Sequence, residues 1–372
     1  MPFHLQHIEE ALAQHSLSGD AWQPVRAAAL QRLQNIGLPR TRSNEFFWVP
    51  QSTLAQINLP PVLAAVATPY PATLTDGWIQ SLASENDLAA ILPALLSAGP
   101  RQHQVIANNE WQELDVLSTD PYALELVLIP AHAKVRIRWH RVPGAAFSAQ
   151  RLDLQASEGS QVEVVVFGNS EHKSMSLRHS RVRLDADATV QWLESDLGAN
   201  LARTSLDAHL AGTAANFSFR ALSLLEGLHQ SHRRLRVFHE AAGVHSEQFV
   251  RHILQGESNA SCDTLVEIQK DVTGSDAHQL VNSLLMSPHC KASAKPTLII
   301  HNDDVKASHG TTCGDLDKNH LFYLNSRGLS DAEARRILLS AFANTLLEAH
   351  PASNHRAQII GNLHAALRLR FP

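Results

Sequence analysis

The residues KPTLIIHNDDVKASHGTTCG (295–314), continued by LFYLNSRGLS (321–330), stand where the chain changes its grammar. From about Gln104 up to that point it is written in short β-like runs: Leu124–Ile129, Val135–Trp139, Val162–Phe167, Val182–Leu184, Phe217–Leu224 and Leu265–Ile268. These runs often alternate in polarity and are separated by polar turns, with almost no helical period until about residue 327. Many short strands predict a sandwich, a barrel or a β-helix. A stacked β-helix accommodates roughly 200 residues of strand without a second fold, whereas a single sandwich of that size is large. No strict repeat motif decides among the three.

Beyond the quoted stretch the pattern is helical. Ser330 and Glu333 form a capping box, and Ala334, Ile337, Leu338, Ala341, Phe342, Thr345 and Leu346 follow on one face. Pro351 ends that helix, and Ile359, Ile360, Leu363 and Leu367 mark the apolar stripe of a second. Such stripes pack on the β-region or on each other, or serve in part as a docking face for another subunit; the pattern leaves both open. The first hundred residues also read as helical. Pro24–Gln34 carries proline near its start and Gly37 just past its end. A second helix runs from a Ser84 N-cap through Leu88, Ile91, Leu92 and Leu95 to Gly99–Pro100, with Pro93 inside it. A proline-rich segment from Pro50 to Pro71 reads as a linker between them. The expected division is therefore a helical region over 1–103, a β-core over 104–326 and a helical region over 327–372.

A chain of 372 residues predicts two or three structural units, and 44% hydrophobic with 18% charged residues is the balance of a globular rather than a disordered protein. The net charge of −5 gives no bulk reason to expect a nucleic-acid partner. Arg233, Arg234 and Arg236 read as a solvated strand face. No apolar run of about 18 residues predicts a membrane span. Met1–Asp20, interrupted by His4, His7, Glu9, Glu10 and His15, does not read as a secretory signal, so a cytoplasmic location is expected. Cys262, Cys290 and Cys313 are odd in number and lack CxxC spacing, which argues against a disulfide framework and against a self-contained cysteine-ligated cluster. The 22 histidines are scattered, so they make charge sensitive to pH without naming a function.

The two quoted segments together resemble the C-terminal signature of the SufB/SufD family, nearer to its SufD branch. The matching parts are Lys295–Pro296, a strand, the core DDVKASHG (303–310) and FYLNSRG (322–328) before a helix. Further matches are SEQF (246–249), DAHQ (276–279) and NSLLM (282–286). Near the N-terminus GLPRTRSNE (37–45) resembles the family's Gly-Leu-Pro element, although Phe46-Phe47-Trp48 departs from its continuation. The resemblance is strong over about residues 229–345 and thin before them. It implies a mainly β chain: a right-handed parallel β-helix core flanked by N-terminal and C-terminal helical parts. It also implies a non-catalytic scaffold subunit that pairs with a SufB-like subunit, while the C-terminal helical parts bind a SufC-like ABC ATPase. Nascent iron–sulfur clusters would form between the two β-helices, with this chain contributing His309 as a metal ligand. The isolated chain would hold no cofactor stably, the cluster being transient in the complex. The same exposed edge also suits a homodimer.

Iron accepts thiolate, imidazole and carboxylate donors. On a strand, residues 307 and 309 point to one side about 6–7 Å apart. Relatives usually carry cysteine at the first of these, where this chain has Ala307, which leaves His309 as the donor there. Cys313 shares the parity but lies about 13 Å away on an ideal strand, unless Gly310 and Gly314 bend the chain. It is a candidate thiol whose default reading is a small buried group. Asp304 and Lys306, with Asp303, are expected to organise the strand edge or the subunit interface. Arg327, Gly328, Ala334, Leu338 and Phe342 are the expected ATPase-docking residues. No Gly-x-x-x-x-Gly-Lys-Ser/Thr loop occurs, so ATP hydrolysis would come from the partner. The competing reading is a carbohydrate-active β-helix enzyme, a polysaccharide lyase or hydrolase, which needs a pair of separated carboxylates on one face. Asp303 and Asp304 are adjacent and face opposite ways; Asp315 and Asp317 share parity but sit in a predicted turn. A cupin-like metal enzyme lacks its spacing, since His229 and His232 are three apart and His239 and His245 six apart.

Overall fold

The structure, a computed structural model, describes residues 22–37, 82, 85–97, 99–142, 145–167, 174–348 and 354–370. Ser84, the Gly-Leu-Pro element beyond Gly37, the 50–71 segment and Pro351 lie outside them. Two helices come first, α1 (Gln23–Ile36) and α2 (Leu88–Leu96). Sixteen strands follow among the described residues: β1 (Pro100–His103), β2 (Trp111–Val116), β3 (Tyr122–Ile129), β4 (Lys134–His140), β5 (Phe147–Ala156), β6 (Gln161–Phe167), β7 (Met175–Leu184) and β8 (Thr189–Asp196). The remainder are β9 (Leu201–Leu210), β10 (Asn216–Leu225), β11 (Gln230–His239), β12 (His245–Leu254), β13 (Asn259–Ile268), β14 (Ser275–Leu285), β15 (Lys291–Ile300) and β16 (Val305–Gly314). Three helices end the chain: α3 (Lys318–Ser326), α4 (Asp331–Glu348) and α5 (Asn354–Arg370).

Odd-numbered strands form one eight-stranded sheet and even-numbered strands a second, each in simple order from one end to the other. All the pairings are parallel, so the chain winds as a β-solenoid of about seven turns. The repeat invisible in the sequence is conformational. His132, Gly159, Asp187, Ala214, Gly243 and Gly274 all take positive φ at the same turn, 27 to 31 residues apart. Each backbone N–H there donates to a carbonyl of the next turn, from His132 to Glu158 at 2.8 Å through to Gly274 to Asp304 at 3.0 Å. A left-handed turn residue is supplied by four residue types, so no motif repeats.

Inside, Val135, Ile137, Trp139, Val164, Val190, Trp192, Phe217 and Phe219 belong to one contiguous apolar column between the sheets. Close to it lies a buried ionic group. Glu194 and Asp196 on β8 face Arg233 of β11 at 3.5 Å and Arg141 at 3.5 Å, respectively. Arg233 also donates to Ser223 Oγ at 2.6 Å. Burial opposes the Asp196 charge, but Arg141, Arg233, the Ser231 hydroxyl and the Gly198 N–H hold its carboxyl below the usual range. The expected solvated arginine face is thus corrected: Arg233 is 3% exposed and points inward, while Arg234 and Arg236 pair outward with Asp207 and Asp263. Side chains one apart on a strand point to opposite faces and side chains two apart share one, which a charge run conceals.

The helices cover the outer faces. Leu88–Leu96 are buried against Tyr122, Leu124, Phe147, Met175, Leu177 and Leu201 of the odd sheet. The cap of α2 is Asp87, not Ser84: its Oδ1 accepts the Ala89 N–H at 2.9 Å, and its other oxygen meets Arg203 at 3.2 Å. Trp22 Nε1 and Arg26 Nη1 donate to the Ala94 and Leu95 carbonyls at 3.1 and 2.7 Å, so α1 satisfies the open C-terminal carbonyls of α2. On the even sheet, Leu339, Ala343, Leu346, Leu347, Ile359, Leu363 and Leu367 of α4 and α5 pack on Val165, Leu193, Leu222, Leu224 and Ile253. The Ser330–Glu333 capping box is present, with bonds of 2.9 and 3.3 Å. Two boundaries move: strand begins at Pro100, and helix begins at Lys318, where Asp317 caps α3 through the Asn319 N–H at 2.7 Å.

Candidate functional site

The last turn of the solenoid is different from those before it. β15 and β16 end their sheets and hydrogen-bond a neighbour on one side only. They are half-buried or exposed along their length, with Ile299 and Ile300 at 37% and 40% exposure, while β13 is mostly buried. This end therefore presents free N–H and C=O groups together with apolar surface.

Pairing of β16 with β14 is unbroken from Val305 opposite Ser275 to Gly314 opposite Leu284. Alternation then fixes the faces. Val305 and Ala307 pack against the core column. His309, Thr311 and Cys313 share their parity and stand over Gln279, Val281 and Ser283. His309 is exposed and makes no hydrogen bond or ion pair with another described residue. It sits at the open rim of the solenoid interior, its ring nitrogens unengaged.

Lys306 is exposed and faces the opposite way, so the register separates it from His309. Asp304 precedes the strand; its N–H donates to Asn302 Oδ1 at 2.9 Å and its carbonyl accepts from Gly274 at 3.0 Å. Its place is thus to end the turn ladder, beside an equally exposed Asp303. Cys313 is exposed, contrary to the buried default that Cys262 and Cys290 do follow. Residual burial and the nearby Cys290 thiol push its pKa up, which keeps it a thiol rather than a thiolate. Continuous register through Gly310 supplies no bend, so His309 and Cys313 remain about 13 Å apart along the strand.

Register also assembles a group that spacing did not disclose. On the outer face, His278 Nδ1 meets Ser308 Oγ at 2.6 Å and its Nε2 meets Asp276 at 2.9 Å. Asp276 in turn lies 3.6 Å from His245. The DAHQ element held the signal, but only strand pairing places it beside Ser308 and Lys306.

Of the expected docking residues, Arg327 is exposed, with its guanidinium over the Tyr323 ring at 5.2 Å, and Gly328 takes φ 91° in the turn from α3 to α4. Ala334 is fully buried, and Leu338 and Phe342 are half-buried against the solenoid. Arg251 lies over the Phe342 ring at 4.7 Å and donates to its carbonyl. These three side chains therefore serve the fold first. The apolar groups left in solvent are Phe322, Tyr323 and Ile337, at 75%, 56% and 45% exposure. Ile337 also lines an open groove of about 570 Å³ between α4 and α5, with Leu329, Glu333, Ala341, His364 and Arg368. The helical period was read correctly, but its buried stripe is centred on Leu339 and Ala343.

The carboxylate pairs required of a glycan-cleaving enzyme are otherwise engaged. Asp315 Oδ1 accepts the Leu316 N–H at 2.7 Å, and Asp317 caps α3. No helix among the described residues is long and apolar enough to cross a membrane.

Residues 124–342 match the model of the SUF system FeS cluster assembly SufBD core domain. The chain is 25% identical over 217 residues to the iron–sulfur cluster assembly protein SufD of Escherichia coli, covering 58% of this chain and 51% of that one. It is 26% identical over 209 residues to a SufBD family protein of Synechocystis, covering 56% and 46% of the two chains. A chloroplastic protein of Arabidopsis thaliana, ABCI7, is 30% identical over 210 residues, covering 53% and 44%. The chain thus spans about half the length of the curated relatives it matches.

Proposed function

The chain belongs to the SufBD family of iron–sulfur cluster assembly proteins, and from that premise we propose that it is a non-catalytic, SufD-like scaffold subunit. The observation that carries this reading is the open end of the solenoid. An uncovered parallel edge is a template for pairing with another chain, and His309 stands at its rim with both ring nitrogens unengaged. A SufB-like β-helix adding to β16 would bring its own donors against that rim, and a nascent cluster would be cargo held between the two chains. Ala307 supplies no thiolate, so the partner would provide the sulfur ligands and this chain an imidazole.

The ATPase, a SufC-like protein, would dock on Phe322, Tyr323, Arg327 and Ile337 and in the groove beside α4. These side chains are in solvent, unlike Ala334. A compartment with reduced thiols, the cytoplasm, suits a chain with three free cysteines, one of them exposed.

The test is co-expression with the SufB-like and SufC-like proteins of the same source, anaerobic purification, and assay of iron and sulfide in wild type and His309→Ala. We expect both complexes to form and cluster content to collapse only in the variant. Unchanged content would leave a scaffold whose histidine is structural. Failure of the wild-type chain to capture either partner, or ATP hydrolysis by the isolated chain, would overturn the reading.

A further inference from the structure

On the opposite side of the molecule from the ATPase groove, where the segment before α2 crosses the odd sheet, three side chains converge. Their donor atoms, one each from Glu85, His179 and Asp207, lie within 4.8 Å of one another. We propose that these residues form a site for a first-row divalent transition-metal ion that staples the N-terminal helices to the solenoid.

Ser205 Oγ donates its single proton to the Arg178 carbonyl at 3.4 Å, the only direction in which that contact is a bond. Toward His179 Nδ1, 3.0 Å away, the same oxygen then accepts, and this tautomer, with the ring proton on Nδ1, is the one a metal at Nε2 requires. His179 is fully buried, with Arg151, Arg181, Arg234 and Arg203 around it. Its Nε2 is buried with no hydrogen-bond partner, and in that tautomer presents a lone pair. That lone pair faces Glu85 Oε2 at 4.0 Å.

An acceptor facing a carboxylate in a dry site needs something positive between them. A shared proton does not fit, because 4.0 Å is well beyond hydrogen-bond length. A metal ion fits better. The centre of a triangle with sides of at most 4.8 Å is no more than about 2.8 Å from each corner, so shifts of at most about 0.6–0.8 Å per ligand bring all three to zinc-ligand distances of about 2.0–2.2 Å. Ligand orientation is already set: Ser205 holds the imidazole, and the N–H groups of Asn86 and Asp87 hold Glu85 Oε1 at 2.9 Å each, leaving Oε2 free.

Three of the four surrounding guanidinium groups are matched, while Arg181, its Nε buried without a hydrogen bond, has no ion pair among the described residues. Arg203 meets Asp87 at 3.2 Å, Arg151 meets Asp153 at 2.9 Å, and Arg234 meets one oxygen of Asp207 at 3.5 Å. Their field still weakens a cation site, so affinity on the order of micromolar is expected rather than nanomolar. One imidazole with two carboxylates selects Zn²⁺ over Mn²⁺, and both over Mg²⁺ or Ca²⁺. The site joins Glu85 to strands β7 and β9, so metal binding should raise the stability of the whole chain.

The test uses the full chain, stripped with chelator and titrated with ZnCl₂ by calorimetry and by thermal melting. Wild type should bind one equivalent that Glu85→Gln and Asp207→Asn each lose, together with the rise in melting temperature. His252→Gln, which removes an equally buried imidazole elsewhere, should keep both. The half-buried Asp207 carries the test if Glu85→Gln does not fold. Equal stoichiometry and equal thermal shift in wild type and in Asp207→Asn would mean surface histidines only, and the proposal would fall.

Discussion

Lowering the pH from 6.5 to 5.5 should cost this protein far more stability than its composition suggests, and the interior says how much. Burial first, then neighbouring arginines for His232 and His252 and the His245 imidazole for His239, pushes these three groups down to about 3, 3 and 4 from an ordinary 6.5. Folded, all three stay neutral across this window; unfolded, each takes up a proton. At pH 5.5 that is roughly 0.9 proton per group, a slope of about 4 kcal/mol per pH unit for the three. Integrated over the unit, the loss is about 3 kcal/mol. The sign follows from the depressed folded values: the contribution is complete above pH 6.5 and disappears as pH falls toward 4 and 3. His179 adds in the same direction, whereas Glu85, raised by burial and by Asp87, opposes it with a contribution lost as pH rises past 4.5. Urea unfolding followed by the fluorescence of the fully buried Trp139 and Trp192 reads the slope directly. His252→Gln should remove roughly 0.9 proton of it. A urea midpoint that stays level or rises between pH 6.5 and 5.5 would refute neutral burial of these rings.

At the C-terminal helices, Leu339→Ala should cost about 2–5 kcal/mol in urea unfolding, because Leu339 is fully buried between α4 and the even sheet. Ile337→Asp, at 45% exposure, should leave stability within about 0.5 kcal/mol and, on the proposed docking, abolish capture of a SufC-like ATPase in a pull-down. In the interior, Arg233→Met removes the guanidinium that faces Glu194 in a buried ion pair, and should destabilise by about 3–5 kcal/mol at neutral pH. Adding Glu194→Gln to it should recover most of that loss.

Strand content was legible in the sequence because apolar runs such as Val162–Phe167 and Phe217–Leu224 are long enough to exclude loops. The solenoid itself was not legible from periodicity. What repeats is one left-handed backbone position, filled by His132, Asp187 and Ala214 as readily as by glycine. At Gly159 glycine also gives room to a neighbour, since an added Cβ would lie 2.4 Å from the His132 ring and push that exposed side chain aside. The buried face of α4 was hidden for a related reason. A helix whose apolar residues include Ala334, Ile337, Leu338 and Ala341 has two plausible buried arcs, and only the outer face of β6–β12 chooses Leu339 and Ala343. His309 was legible as a candidate through its motif, but its separation from Lys306 follows from register alone. The Glu85–His179–Asp207 group was beyond any reading of spacing, with 94 and 122 residues separating Glu85 from the other two.

The two free edges at the solenoid's end are not equivalent. The turn ladder is closed there by the chain itself: Asn302 Nδ2 donates to the Lys270 and Val272 carbonyls at 3.1 and 3.0 Å, and its Oδ1 takes the Asp304 N–H. No such closure is made along the strands. β15 carries Lys291, Lys295 and Pro296, and proline removes a backbone donor from the middle of the edge. Charged residues and proline are the usual means of keeping an edge strand from pairing. β16 has no proline, a single lysine at Lys306, and a run of small residues in Ala307, Ser308, Gly310 and Gly314 that lets another backbone approach. Edge chemistry therefore assigns the proposed subunit pairing to β16 and leaves β15 as its guarded neighbour. On that proposal His309, midway along β16, would stand at the centre of the junction rather than at its margin.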